Sequence, residues 1–273
     1  MNSKRRLLVS LLGLTVCGAM PARADWQKIV ESGHLKVAVY NEFLPFSDQG
    51  AGIDVDLAAA LAAKLGLKLS LLPFPAGESV DDDLRNMVWK GHYLGYGPAD
   101  LMLHVPVDQR LMAQNDKVRI FAPYHVETVR LVRSAKSVPR FDGIDALAGK
   151  RIGVEKVSLA AMVMLGEGNG KFRDQVRIYP TAIEAGQALQ RGELDAVLAT
   201  RSEIEAVFKG DPAFPLETVG FARLPRAGWA VGMAVRKNDT EMAKKLQAAI
   251  NAMSASGELK AIFAKYGVVA VTP

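Results

Sequence analysis

The stretch that most constrains this chain is a turn leading into an amphipathic helix, Gly52-Ile53-Asp54-Val55-Asp56-Leu57 and on through Leu61 to Leu65. Upstream, Leu35-Lys36-Val37-Ala38-Val39 reads as a buried strand, and the span from Asn41 to Gly52, with Pro45 and Gly50, reads as a loop. Leu57, Leu61 and Leu65 recur every four residues, the spacing of one buried helical face. Asp54 is placed to cap the free N–H groups of the first turn, and Asp56 to face the positive end of the helix dipole. A strand, an open loop and a helix N-terminus in this order form the place where α/β proteins hold small polar ligands.

The same alternation continues along the chain. Strands are predicted over residues 67–72, 100–105, 129–133, 151–155, 176–179, 196–199 and 229–235. Helices are predicted over 84–88, 159–165, 182–190 and 240–254, the last opened by Asp239 as its cap. Loop-like composition at Ser137-Val138-Pro139 marks a break. No repeat of 20 to 50 residues and no low-complexity tract interrupts the pattern, so the fold class is α/β throughout.

The N-terminus predicts the compartment. Lys4, Arg5 and Arg6 precede an apolar run over residues 7–20, and Ala22-Arg23-Ala24 is a small-x-small cleavage site before Asp25. This is the pattern of a secretory signal peptide, too short to span a bilayer comfortably. Leu14-Thr15-Val16-Cys17 is similar to a lipoprotein box, but Val16 is bulky where a small residue belongs, and lipidation is not expected. Cleavage after Ala24 leaves a mature chain of 249 residues with no membrane insertion, expected to be a periplasmic monomer.

Removing residues 1–24 changes the charge argument. The whole chain carries a net charge of +5, but Lys4, Arg5, Arg6 and Arg23 leave with the signal, and 30 basic residues then face 29 acidic ones. Binding to nucleic acid or to a membrane surface loses its support. Cys17, the only cysteine, also leaves, so the mature chain has no disulfide, no thiolate nucleophile and no cysteine metal site.

Motifs for catalysis are missing. No Gly-x-Ser-x-Gly elbow and no acid/base pair in a motif context appears, so a non-enzymatic binding role without cofactor is expected. His92, His104 and His125 lack metal-ligand spacing and read as isolated polar or cleft residues. Asp81-Asp82-Asp83 reads as a solvated helix cap. Gly166-Glu167-Gly168-Asn169-Gly170-Lys171 mimics a phosphate loop, yet it follows a helix and Phe172 stands where Ser or Thr is required. It reads as a helix-terminating turn.

Five segments carry a family resemblance. Gly52 to Leu61 resembles the opening signature of the periplasmic solute-binding proteins of the amino-acid-type ABC importer group, family 3. Phe121-Ala122-Pro123-Tyr124, the run from Leu147 to Val154, the run from Ala188 to Val197 and the ending from Gly257 to Gly267 are similar to later motifs of that family, in order. The resemblance implies a two-lobed periplasmic-binding-protein-like fold of type II, with a ligand cleft between lobes joined by two hinge strands. It implies a first, discontinuous lobe over residues 25–128 plus 230–273 and a second over 129–229. A small polar solute and an ABC permease are the partners it implies.

It also implies site residues. Phe43 falls where the family places an aromatic over the ligand, and Ser158 where it binds a carboxylate at a helix start. Arg110, in Val107-Asp108-Gln109-Arg110, is the nearest equivalent of the family's carboxylate-clamping arginine, but it comes early and lacks the family's threonine. Thr200 stands where the family commonly has the aspartate that holds an α-ammonium. An ordinary L-α-amino acid is therefore a poor match. His104, at a strand end, completes the candidate ligand-binding set. A second resemblance, over Arg85-Asn86, Gly91, Asp100 and Val105-Pro106, is to accessory proteins of periplasmic quinoprotein (PQQ) methanol dehydrogenases, which share the fold. His104 stands where that pattern has glycine. This resemblance implies a non-transport alternative in which the partner is a quinoprotein alcohol or methanol dehydrogenase.

Overall fold

A computed structural model describes residues 25–221, 224 and 228–273; the signal-peptide reading of residues 1–24 lies outside the described residues. The first half runs α1 (Asp25–Ser32), β1 (His34–Tyr40), α2 (Ile53–Lys64), β2 (Lys68–Phe74), α3 (Val80–Leu84), β3 (Leu101–Pro106), α4 (Gln109–Gln114) and β4 (Val118–Arg133). The second runs β5 (Ile152–Glu155), α5 (Leu159–Gly166), β6 (Val176–Tyr179), α6 (Ala182–Gln190), β7 (Ala196–Thr200), α7 (Arg201–Phe208), β8 (Leu216–Glu217), β9 (Gly228–Arg236), α8 (Thr240–Ser256) and α9 (Glu258–Lys265).

The strands order as β2-β1-β3-β9-β4-β7-β5-β6, with β8 on β4. β1 runs parallel to β2 and β3, while β9 lies antiparallel between β3 and β4. β4 links the two lobes. It pairs with β9 as far as Thr128↔Gly228, and from Val129↔Thr200 onward it pairs with β7. The sequence pattern isolates only residues 129–133 of this strand, because Pro123 and the bulge between Phe121 and His125 interrupt its alternation.

Each lobe buries both faces of its sheet, the expected layering for βαβ connections. In the first lobe, Leu57 and Leu61 of α2 join Leu246, Ile250 and Phe263 of α8 and α9 over Val37 and Val39. On the opposite face Leu84, Met87 and Val88 cover Met102 and Ala234. In the second lobe Val163 and Met164 of α5 pack on Val154 and Leu198, and Ala185 and Leu189 of α6 pack on Val197 from behind.

Two capping expectations need correction. Gly52, not Asp54, is the N-cap of α2, at φ 135, with no room for a side chain because a Cβ there would lie 2.2 Å from the Phe46 carbonyl oxygen. Asp54 instead turns inward and is 1% exposed. Asp56 stays outside and accepts from Lys265 Nζ at 2.7 Å and the Tyr266 hydroxyl at 3.0 Å. Asp239 does sit at the N-cap of α8, but its carboxylate accepts from Arg236 Nε at 3.0 Å and makes no cap hydrogen bond. The acidic triplet also divides. Asp82 stays outside beside Arg85, while Asp83 is buried and accepts from the Tyr40 hydroxyl at 2.9 Å and Gly77 N–H at 2.8 Å.

Behind the hinge, the C-terminal tail ties the lobes together. Val269 N–H donates to Glu205 Oε2 on α7 at 2.8 Å, and Val271 N–H donates to His125 Nδ1 on β4 at 3.2 Å. With Nδ1 accepting, the His125 proton lies on Nε2, which meets the Ser202 hydroxyl on α7 at 3.0 Å.

Candidate functional site

Two adjoining cavities of about 310 and 270 Å³ lie between the lobes, each lined by Phe43, Glu155, Ala182 and Glu203. The loop after β1 supplies Glu42, Phe43, Leu44, Asp48 and Gln49 to the first cavity. The other wall comes from the carboxyl end of β5 at Glu155, the start of α6 at Thr181 to Ile183, and Glu203 in the first turn of α7. The second cavity adds Ser158, Thr200 and Trp229. Side chains at strand ends and helix starts are where an α/β fold concentrates ligand contacts.

Phe43 is held by a tight turn in which its N–H donates to the Ser47 carbonyl, while its own carbonyl accepts from Phe46 and Ser47 N–H, all at 2.8 Å. Its ring packs on Tyr40, Phe46 and His104 at centroid distances of 5.8, 5.2 and 4.7 Å. His104 lies one layer beneath. It interrupts β3 at a bulge with φ +60, a left-handed conformation that costs a β-strand residue about 1–3 kcal/mol. Asp54 and Tyr124 hold it there. His104 Nδ1 donates to Asp54 Oδ2 at 3.1 Å, its N–H donates to the Tyr124 hydroxyl at 3.0 Å, and that hydroxyl donates to Asp54 Oδ1 at 2.8 Å. Burial, with the Asp54 charge beside it, pushes the Tyr124 hydroxyl well above its ordinary pKa, so it remains a donor. His104 thus supports Phe43 and lines neither cavity.

Ser158 N-caps α5. Its oxygen accepts Ala161 N–H at 3.0 Å and its hydroxyl donates to the Glu155 carbonyl at 2.8 Å. Thr200 is bound to Glu203, with its N–H and hydroxyl donating to Glu203 Oε2 at 2.9 and 2.6 Å. Both residues line the second cavity, with their hydroxyl protons already committed within the protein. Arg110 is not brought to the site. It is exposed on α4 and lines neither cavity, because Asp108 caps that short helix through Arg110 N–H and fixes it on the outside. Phe43, Ser158 and Thr200 come together, His104 backs them, and Arg110 stands apart.

The two acids that dominate the cleft are absent from the sequence-derived set. Glu203 is 8% exposed, and burial pushes its pKa up to about 8, with the Glu155 and Glu127 charges adding to the effect and the bonds from Thr200 opposing it. Burial also raises the Glu155 pKa, with the Ala182 N–H and the Lys156 charge opposing it. A signal for Glu203 was available in Thr200-x-x-Glu203, the spacing of a capping box, which places a glutamate one helical turn from the cap.

The comparisons fit this architecture. The family model of the bacterial extracellular solute-binding proteins, family 3, matches residues 109–269. The chain belongs to that family. Among its relatives, a probable histidine-binding protein of Neisseria gonorrhoeae is 26% identical over 97% of this chain and 96% of its own length. An L-arginine-binding protein of Pseudomonas aeruginosa (strain PAO1) is 40% identical over 44% of this chain, which spans just under half of that protein. An ancestral cationic amino acid solute-binding protein, 18% identical, superposes with a TM-score of 0.70 over 89% of this chain and 99% of its own. That likeness fixes the two-lobed fold. Phe43, Glu155 and Glu203 face the cleft between the lobes of this family-3 fold.

Proposed function

We propose that the protein is a periplasmic solute-binding protein that captures a small polar solute by closing its lobes, and that it presents that solute to an ABC permease. The observation that carries this reading is the pair of cavities walled from both lobes and sharing Phe43, Glu155 and Glu203. The lobes in this reading are residues 25–128 plus 230–273, and 129–229, with β4 and β9 as the hinge strands. Export rests on the basic start, apolar run and Ala22-Arg23-Ala24 site of the first 24 residues. The reading is non-enzymatic.

The solute in this reading is not an ordinary L-α-amino acid. Among the described residues lining the two cavities there is no arginine or lysine to clamp an α-carboxylate, and Arg110 points elsewhere. Calorimetry against the twenty amino acids tests this, with a single clear micromolar binder overturning the exclusion. Small-angle scattering tests the capture itself: a solute recovered from periplasmic extract should compact the protein, and an invariant profile with every solute argues against binding.

One observation favours the accessory reading. Tyr93 and Leu94, 88% and 67% exposed, stand inside the segment from Arg85 to Pro106 that resembles the quinoprotein dehydrogenase accessories. Apolar side chains so exposed suit a protein contact. Recovery of a quinoprotein dehydrogenase in a periplasmic pull-down, with no solute-induced compaction, would select that role over capture.

A further inference from the structure

The solute-capture reading leaves the chemical class of the solute open, and the charges on the cleft wall narrow it. Glu155 ends β5, Glu203 lies in the first turn of α7, and both line the two cavities together with Phe43. Glu42 and Asp48 line the first cavity from the opposite lobe. The groups around the pair are Thr200, which donates to Glu203, the Ala182 N–H, which donates to Glu155, Lys156 beside Glu155, and Glu127 of β4 beside Glu203. The nearest guanidinium on α7, Arg201, is committed to Glu205 Oε1. His125 lies 3.7 Å from Glu127 Oε2 and so answers a different acid.

Among the described residues no guanidinium or ammonium sits directly on this pair of carboxyl groups, and burial raises the pKa of both. The start of α5 at Ser158 and Leu159 offers the second cavity a partial positive charge of about half a unit. Against Glu155 and Glu203, which line the same cavity, this does not turn it into an anion site.

We propose that the solute is a small organic ammonium ion held between Glu155 and Glu203 beside the Phe43 ring, and that it needs no carboxylate of its own. Because burial pushes Glu203 up to about 8, it carries a proton at pH 7, and pairing with the ammonium ion releases that proton to the buffer, so charge balances. The aromatic ring adds a face for the cation. This inference rests on the solute-capture reading.

The test pairs each amino acid with its decarboxylated amine: L-arginine with agmatine, L-lysine with cadaverine, L-ornithine with putrescine. Each is titrated calorimetrically into the mature protein at pH 7 in phosphate and in Tris, whose different ionisation enthalpies report proton release. At least one amine should bind ten-fold or more tightly than its parent amino acid, with net proton release. Glu155→Gln and Glu203→Gln should each weaken that binding ten-fold or more, and Glu203→Gln should also abolish the buffer dependence. The wild-type buffer comparison stands even if a variant folds poorly. Parent amino acids binding as tightly as the amines overturn the inference, as does amine binding without proton release. If none of the three amines binds, the inference falls. The capture reading survives that result if another solute compacts the protein in scattering, and falls with it if no solute does.

Discussion

Asp54 and Glu203 are both buried carboxyl groups within one residue layer of the cleft, and they are compensated in opposite ways. Asp54, in the first lobe, has its partners inside the protein, with Tyr124 on one oxygen and His104 on the other. Glu203, in the second, has Thr200 on one oxygen and otherwise faces other acids, Glu155 and Glu127. The first arrangement is a structural brace that holds a strained histidine under Phe43. In the proposed capture, the second is a charge site that the solute completes. A buried acid's role is therefore set by where its compensating donors come from.

Removing the brace should produce the largest effect. Asp54→Ala leaves the Tyr124 hydroxyl and His104 Nδ1 without an acceptor, and should lower stability by about 3 kcal/mol in urea unfolding. A loss below about 1 kcal/mol would erase the contrast between the two acids.

Glu203→Gln should act next, and on binding rather than on folding. Solute affinity should fall by about 2 kcal/mol in calorimetry, the value of a charged hydrogen bond. The sign of its stability effect differs from that of Asp54. The folded-state pKa of Glu203, about 8, lies above the unfolded value near 4.5. Its contribution is thus fully present below about pH 4.5 and is lost as pH rises through about 8. The variant should flatten that decline in unfolding curves taken from pH 5 to pH 8.

Phe43→Ala sharpens the comparison from above, since Phe43 rests on the His104 brace and covers the Glu203 site. Loss of its ring area should weaken solute binding by about 1–3 kcal/mol. The smallest effect belongs to Arg110→Ala, an exposed residue outside both cavities, which should change affinity and stability by less than about 0.5 kcal/mol. A large loss of affinity there would restore it as a carboxylate clamp.

The sequence carried the fold further than the site. Leu57, Leu61 and Leu65 announce α2 because apolar periodicity is a local property, and the segments 176–179 and 182–190 match β6 and α6 to the residue for the same reason. β4 was legible only in part, since its continuity through Pro123 depends on pairing with β9. Phe43, Ser158 and Thr200, expected from the family resemblance, line one cavity together. Glu155 was not legible, because a glutamate ending a strand carries no local mark of what it will face. Glu203 was hidden in plain view as a capping-box residue, and only the folded chain brings it against Glu155. Asp54 was misplaced as a cap because its partners Tyr124 and His104 lie 70 and 50 residues away.

The most direct measurement follows the carboxyl 13C resonance of Glu203 in the free mature protein by NMR from pH 3 to pH 10, assigned with Glu203→Gln. Our account predicts a side chain still largely protonated at pH 7, titrating near pH 8. Titration in the ordinary range near 4.5 would mean that the protein already supplies the missing positive charge. The cleft would then have no unmet demand for a cation, and the central claim would fail.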